Sequence, residues 1–235
     1  MLDINRISPR LHNALSDTSE RLVFFFGAGI SASLAGKSYS WEQWVRDGII
    51  MLADADQRDT FCEKLGDTTR KRGKPSADVL ISVLEELTDE LRRLPGAYEK
   101  WMHNAFETLC VNDLALAETL KKLLLFQDFF VTTNYDDLLE QATGIKGVSY
   151  LHPEIVYPML DEKRNGHVIH IHGRYSTKPH DFEDSIIATD TQYKALLANQ
   201  GAQFIQNVIG TRTVVFIGCG IIKCVSMRRI FLIHV

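Results

Sequence analysis

Apolar residues along this chain fall into two kinds of run. Four are short and nearly continuous: Leu22 to Phe26, Asp128 to Val131, Val168 to His172 and Thr213 to Ile217. Runs of this length, rich in Val, Ile and Phe, suit strands buried on both faces of a parallel sheet. The others repeat at helical spacing. Ile4, Ile7, Leu11 and Leu15 mark a helix within Met1 to Glu20, and Trp41, Trp44, Val45, Ile49 and Leu52 mark one within Ser38 to Leu52. Val79, Leu80, Val83, Leu84, Leu87 and Leu91 give Ser76 to Leu94 the clearest amphipathic face, which Pro95-Gly96 should end. Further helices are expected at Tyr98 to Leu109 and Leu114 to Leu125. Ser40, with Gln43 three residues on, has the spacing of an N-cap.

The resulting order is strand, many helices, then strands with intervening helices. The predicted fold class is α/β: a Rossmann-like parallel sheet with helices on both faces, and a helical insertion or cap over about residues 40–125. A single domain spanning 1–235 accommodates it. Each strand-like run ends in a polar or glycine-rich signal: GAGIS, TTNYDD, HG and GCG. Parallel sheets bind ligands at the carboxyl ends of their strands, so these four ends are expected to converge on one crevice.

The 45% hydrophobic content can fill a core, and the net charge of -4 gives no electrostatic reason to expect direct nucleic-acid binding. The one basic cluster, Arg70, Lys71, Arg72 and Lys74, reads as a solvated loop between helices. The four cysteines lack C-x-x-C spacing, and no apolar run reaches the roughly 18 residues of a membrane span. A cytoplasmic protein with reduced thiols and no bound zinc is expected.

Candidate chemistry sits at the strand ends. Gly27, Gly29 and Ala32 fit the loose G-x-G-x-x-G/A pattern, in which glycines let a backbone approach a phosphate and Ser31 faces the same group; a bare glycine turn would look the same. In Thr132 to Asp137, helix capping accounts for Asp137, while Asn134 and Asp136 fit either capping or ligand binding. His172, before Gly173, offers a neutral imidazole able to take a proton from a sugar hydroxyl. His170 should share its face and reads as a packing or hydrogen-bonding residue. Thr189 and Asp190 read as helix caps, and Tyr193 follows them near the crevice.

GAGIS at Gly27 to Ser31, TTNYD at Thr132 to Asp136, His172-Gly173 and VVFIGCG, in this order, resemble the sirtuin family. They are most similar to the bacterial sirtuin-like domains of antiphage defence, several of which consume NAD. The resemblance implies that Gly27, Ala28, Gly29, Ser31, Thr133 and Gly218 bind NAD, with Asn134 and Asp136 at its ribose and nicotinamide side and His172 as the catalytic histidine. The family's zinc-binding cysteine pairs are absent, and SYSWEQW stands where a deacylase carries an arginine-containing loop. Water is therefore the expected acceptor, giving nicotinamide and ADP-ribose, linear or cyclic.

Two alternatives remain: a non-catalytic NAD-sensing or scaffolding subunit of a defence complex, and a protein deacylase or ADP-ribosyltransferase. The implied partners are NAD, a homo-oligomer, and a HerA-type ATPase or fused sensor domain that restrains the activity. After Gly220 the family pattern predicts a helix and a further strand, whereas Arg229 to Val235 follows too closely for a parallel crossover. A truncated or altered C-terminus is expected.

Overall fold

The computed structural model describes residues 22–36, 40–68, 71–72, 75–125, 129–151, 166–175, 186–210 and 212–219. The helix expected within Met1 to Glu20 and the strand expected at Arg229 to Val235 lie outside these residues.

Strand β1 (Leu22–Phe26) begins the described chain, and all five of its residues are buried. Helices α1 (Ala28–Ala35), α2 (Trp41–Ile50) and α3 (Ala55–Lys64) follow. A two-strand hairpin comes next, β2 (Asp67–Thr68) with β3 (Lys71–Arg72), and then α4 (Ala77–Arg93), α5 (Ala97–Phe106) and α6 (Leu114–Leu123). The sheet resumes with β4 (Phe129–Thr132), followed by α7 (Leu138–Thr143), β5 (Lys146–Ser149) and β6 (His167–His170). Helices α8 (Asp190–Ala198) and α9 (Gln200–Gly210) lead to β7 (Thr213–Ile217).

The five long-range strands form one parallel sheet in the order β5-β6-β4-β1-β7. Alternation along β1 sends Phe24 and Phe26 to one face and Val23 and Phe25 to the other. On the first face they join Phe130, Val168 and the buried sides of α1, α2 and α4 to α7 in a single apolar cluster. On the second, Val23 and Phe25 pack with Val131, Val148 and Ile169 against Leu196 of α8 and Ala202 and Ile205 of α9. Helices therefore cover both faces, and the fold is a Rossmann-like α/β fold. Each fully buried Phe contributes on the order of 2 to 3 kcal/mol.

The helices between β1 and β4 share the core of the sheet. Their centre is Trp101, fully buried, which stacks on Trp44 at 4.9 Å and 16° and donates from Nε1 to the Trp44 carbonyl at 2.9 Å. Trp44, Phe106, Tyr135 and Tyr175 continue this aromatic contact toward the strand ends. The N-cap expected at Ser40 is found, its side chain accepting from the Gln43 N–H, and Ser76 accepts in the same way from the Val79 N–H.

Two expectations need correction. Part of the basic segment is not a loop, because Lys71 and Arg72 pair antiparallel with Thr68 and Asp67. The third run stops as a strand at His170, and residues 171–172 turn. Period-two alternation therefore does not carry through to His172.

Helix α2 comes so close to α4 and α5 that a Cβ on Gly48 would lie 2.7 Å from Trp101 Cε2 and 2.9 Å from Leu87 Cδ2. The stacked, hydrogen-bonded Trp101 cannot yield easily. Gly48→Val is expected to destabilise the fold by about 2 kcal/mol or more, read as a lower urea midpoint at unchanged slope. An unaltered midpoint would contradict this packing.

Candidate functional site

The sheet register sets the carboxyl ends of all five strands level. Ser149 pairs with His170, His170 with Thr132, Thr132 with Phe26, and Phe26 with Ile217. Every residue singled out at a strand end therefore leaves this one row. From β1 the chain proceeds to β4, β5 and β6 on one side and only then crosses to β7 on the other. The order reverses at β1 and β7, where parallel sheets open a crevice.

At that reversal two glycine turns meet. The N–H of Gly27 donates to the Ile217 carbonyl at 3.0 Å, and that of Gly29 to the Gly218 carbonyl at 2.8 Å. A Cβ on Gly29 would sit 2.7 Å from the Gly218 oxygen, and one on Gly218, whose φ is +67°, only 2.5 Å from the Ile30 nitrogen. Backbone thus lies against backbone, as only glycine permits. The Gly27 and Gly29 donors are engaged by the fold, and the turn presents Ala28, Gly29 and Gly218 to solvent. Thr133 stands beside them, its N–H directed to the Phe26 carbonyl at 3.4 Å.

The β4 end is held by a chain of hydrogen bonds. Thr132 Oγ1 donates to the Phe26 carbonyl at 3.0 Å and accepts from the Asn134 N–H at 3.0 Å. Asn134 Nδ2 donates to the Gly27 carbonyl at 3.0 Å and to Ser31 Oγ at 2.8 Å. Ser31 Oγ in turn donates to Asp136 Oδ1 at 3.0 Å, which also accepts from the Leu138 N–H at 3.2 Å. Asp136 therefore satisfies the first N–H of α7, and the side-chain cap expected from Asp137 is not made: Asp137 holds the N-cap position but its carboxylate accepts from the Gln141 side chain instead. Burial raises the Asp136 pKa, against the lowering effects of Ser31 and the Leu138 N–H. Asn134 Oδ1 and Asp136 Oδ2 have no partner among the described residues.

His172, also buried, packs edge-on against Tyr193 at 5.1 Å, with the Tyr193 hydroxyl 3.3 Å from Nδ1. Its Nε2 has no hydrogen bond among the described residues. Tyr193 is set by α8, which opens with a capping box between Thr189 and Gln192. Ahead of α8, the Ile187 N–H donates to the His172 carbonyl at 2.8 Å, while the Ile187 carbonyl accepts from the Tyr135 hydroxyl at 2.5 Å. One extended segment thereby ties the His172 turn to the Asn134–Asp136 turn.

His170 is separate from His172 in role. Completely buried, it places Nδ1 2.8 Å from the Asn134 carbonyl and Nε2 3.0 Å from Glu140 Oε1, which lies 3.2 Å from Arg174 Nε. The expected hydrogen-bonding histidine is found. Its carboxylate partner on α7 was not anticipated, because a lone Glu in LLEQAT looks like any solvated helix residue. Among the described residues no group of three His, Cys, Asp or Glu is arranged to hold a metal.

Residues 128–223 match the family model of the SIR2-like domain. The matched segment runs from β4 through the turn after β7 and holds Asn134, Asp136, His172 and Gly218. SIR2-like domains use NAD, so the match suggests NAD-related activity in broad terms. No curated protein matches the chain. Among the described residues no helix is long and apolar enough to cross a membrane.

Burial lowers the His172 pKa from 6.5 to about 4. Between those values the unfolded chain binds more protons than the folded one, so stability falls as pH drops through that window. The full shift corresponds to about 3 kcal/mol. Asp136 acts with the opposite sign, since its raised pKa favours the folded state as pH falls toward 3.8. Urea unfolding at stepped pH should therefore show the parent losing about 3 kcal/mol more than His172→Gln between pH 6.5 and 4. Parallel stability curves would mean that His172 is not held neutral by burial.

Proposed function

We propose that this protein cleaves NAD with water at the bond between nicotinamide and ribose, releasing nicotinamide and ADP-ribose. The observation that carries the reading is a set of three acceptor atoms. Asn134 Oδ1, Asp136 Oδ2 and His172 Nε2 lack partners among the described residues, although other polar atoms of the same side chains are fixed by hydrogen bonds. A ligand rich in hydroxyl donors, such as a ribose, fits such a set. The exposed backbone at Gly29 and Gly218, free of side chains, suits the diphosphate that joins the two halves of a dinucleotide.

The chain's own groups divide the work by their environments. His172, kept neutral by burial, accepts a proton from a ribose hydroxyl or from the attacking water. For Nε2 to carry the free electron pair, Nδ1 must hold the hydrogen and donate it to the Tyr193 oxygen. Asn134, with both amide hydrogens engaged, directs Oδ1 toward a hydroxyl or the water. Asp136, in its ionised form, opposes the positive charge that develops on the ribose as the glycosidic bond lengthens. In the cell such a reaction would drain NAD, consistent with the defence role that the sirtuin resemblance implies, and a partner or assembly step would have to restrain it.

The test is nicotinamide release from NAD by purified protein without any acylated peptide. The parent should release it, and Asn134→Ala and His172→Ala should each lower kcat by at least about a hundredfold. Calorimetric NAD binding without release by the parent would overturn the hydrolase reading in favour of a sensing subunit. Release that depends on an acylated peptide would identify a deacylase.

A further inference from the structure

We propose that Glu140 and His170 form a positioning pair for Asn134: the Glu140 carboxylate fixes the His170 ring, and the ring holds the Asn134 main chain so that its side-chain amide stays against Gly27 and Ser31. The inference rests on the hydrolase reading for its kinetic consequence, but its geometry stands apart from it.

A carbonyl oxygen can only accept, so the 2.8 Å contact between His170 Nδ1 and the Asn134 carbonyl assigns the hydrogen to Nδ1. Nε2 meets Glu140 Oε1 at 3.0 Å, and because a carboxylate oxygen likewise only accepts, a bond there places a second hydrogen on the ring; the same oxygen forms an ion pair with Arg174 Nε at 3.2 Å. The ring is wholly inaccessible, and Glu140 Oε2 is buried without a hydrogen-bond partner among the described residues. Room for this cluster comes from β5. At Gly147 a Cβ would lie 2.0 Å from Glu140 Oε1 and 2.9 Å from Arg174 Nε, so a glycine stands where a strand would otherwise favour a branched residue.

Stability alone is a poor reason for such an arrangement. Well-packed apolar residues of similar volume often match or exceed a buried ionic cluster, whereas removing one member leaves the rest uncompensated. What the cluster does supply is orientation. It grips the one main-chain carbonyl between Thr133 and Tyr135 that belongs to Asn134, whose amide bridges the β1 and β4 ends. A misplacement of that amide by about 1 Å would be felt in turnover on the order of a hundredfold.

The experiment compares the parent with Glu140→Gln, Glu140→Asp and Gly147→Ala, the last displacing Glu140 without altering it. Three properties are measured: thermal unfolding, kcat and KM for nicotinamide release, and the side-chain Nδ2 resonances of Asn134 in nitrogen-15 spectra. In Glu140→Gln and Gly147→Ala the Asn134 resonances should shift and kcat fall tenfold or more, with KM within about twofold of the parent. Glu140→Asp should restore part of both. Unchanged Asn134 resonances, or a loss of turnover that merely follows the unfolded fraction, would overturn the proposal. Should the parent release no nicotinamide, the hydrolase reading fails while the Asn134 resonances still decide the positioning claim.

Discussion

The site depends on the approach of two backbones, where the Gly29 N–H meets the Gly218 carbonyl at 2.8 Å with no space for a side chain on either residue. That contact ties the turn after β1 to the turn after β7, at the place where the strand order reverses. It also brings the start of α1, and with it Ser31, to the level of Asn134 and Asp136. A Cβ at Gly29 or Gly218 would separate the turns and, with them, Ser31 from its two partners. The glycines are therefore required first by packing, and a bare surface at the crevice is the consequence.

The same economy runs through the polar residues. Asn134 joins the ends of β1 and β4 with its amide hydrogens, Asp136 satisfies the first N–H of α7 with one oxygen, and His172 anchors the 187 segment through its carbonyl. Each keeps one acceptor outside these duties. A substitution at any of them will disturb structure as well as chemistry, so spectroscopic and stability measurements belong beside every rate.

Most of this was legible in the sequence because the strands turn apolar residues to both faces of the sheet. LVFFF and TVVFI leave no alternative period, and the polar signals after each run mark the strand ends directly. Helices with a full apolar stripe, such as Ala77–Arg93, were equally plain. What escaped notice had weak local signals. Helix α3 buries only Phe61, and β5 is the four-residue KGVS, whose glycine answers to Glu140 rather than to any strand preference. The Glu140–His170 contact spans thirty residues and joins two elements of different kind, so no spacing along the chain could announce it. Reading His170 and His172 as one face failed for a simpler reason: the strand ends between them.

The central claim is that a dinucleotide lies across the level row of strand ends with its ribose at Asn134 and His172. A crystal structure of the His172→Asn variant with NAD tests it most directly. The account predicts the nicotinamide-bearing ribose within about 3 Å of Asn134 Oδ1 and the diphosphate over Gly29 and Gly218. Density for NAD anywhere else on the molecule would contradict it.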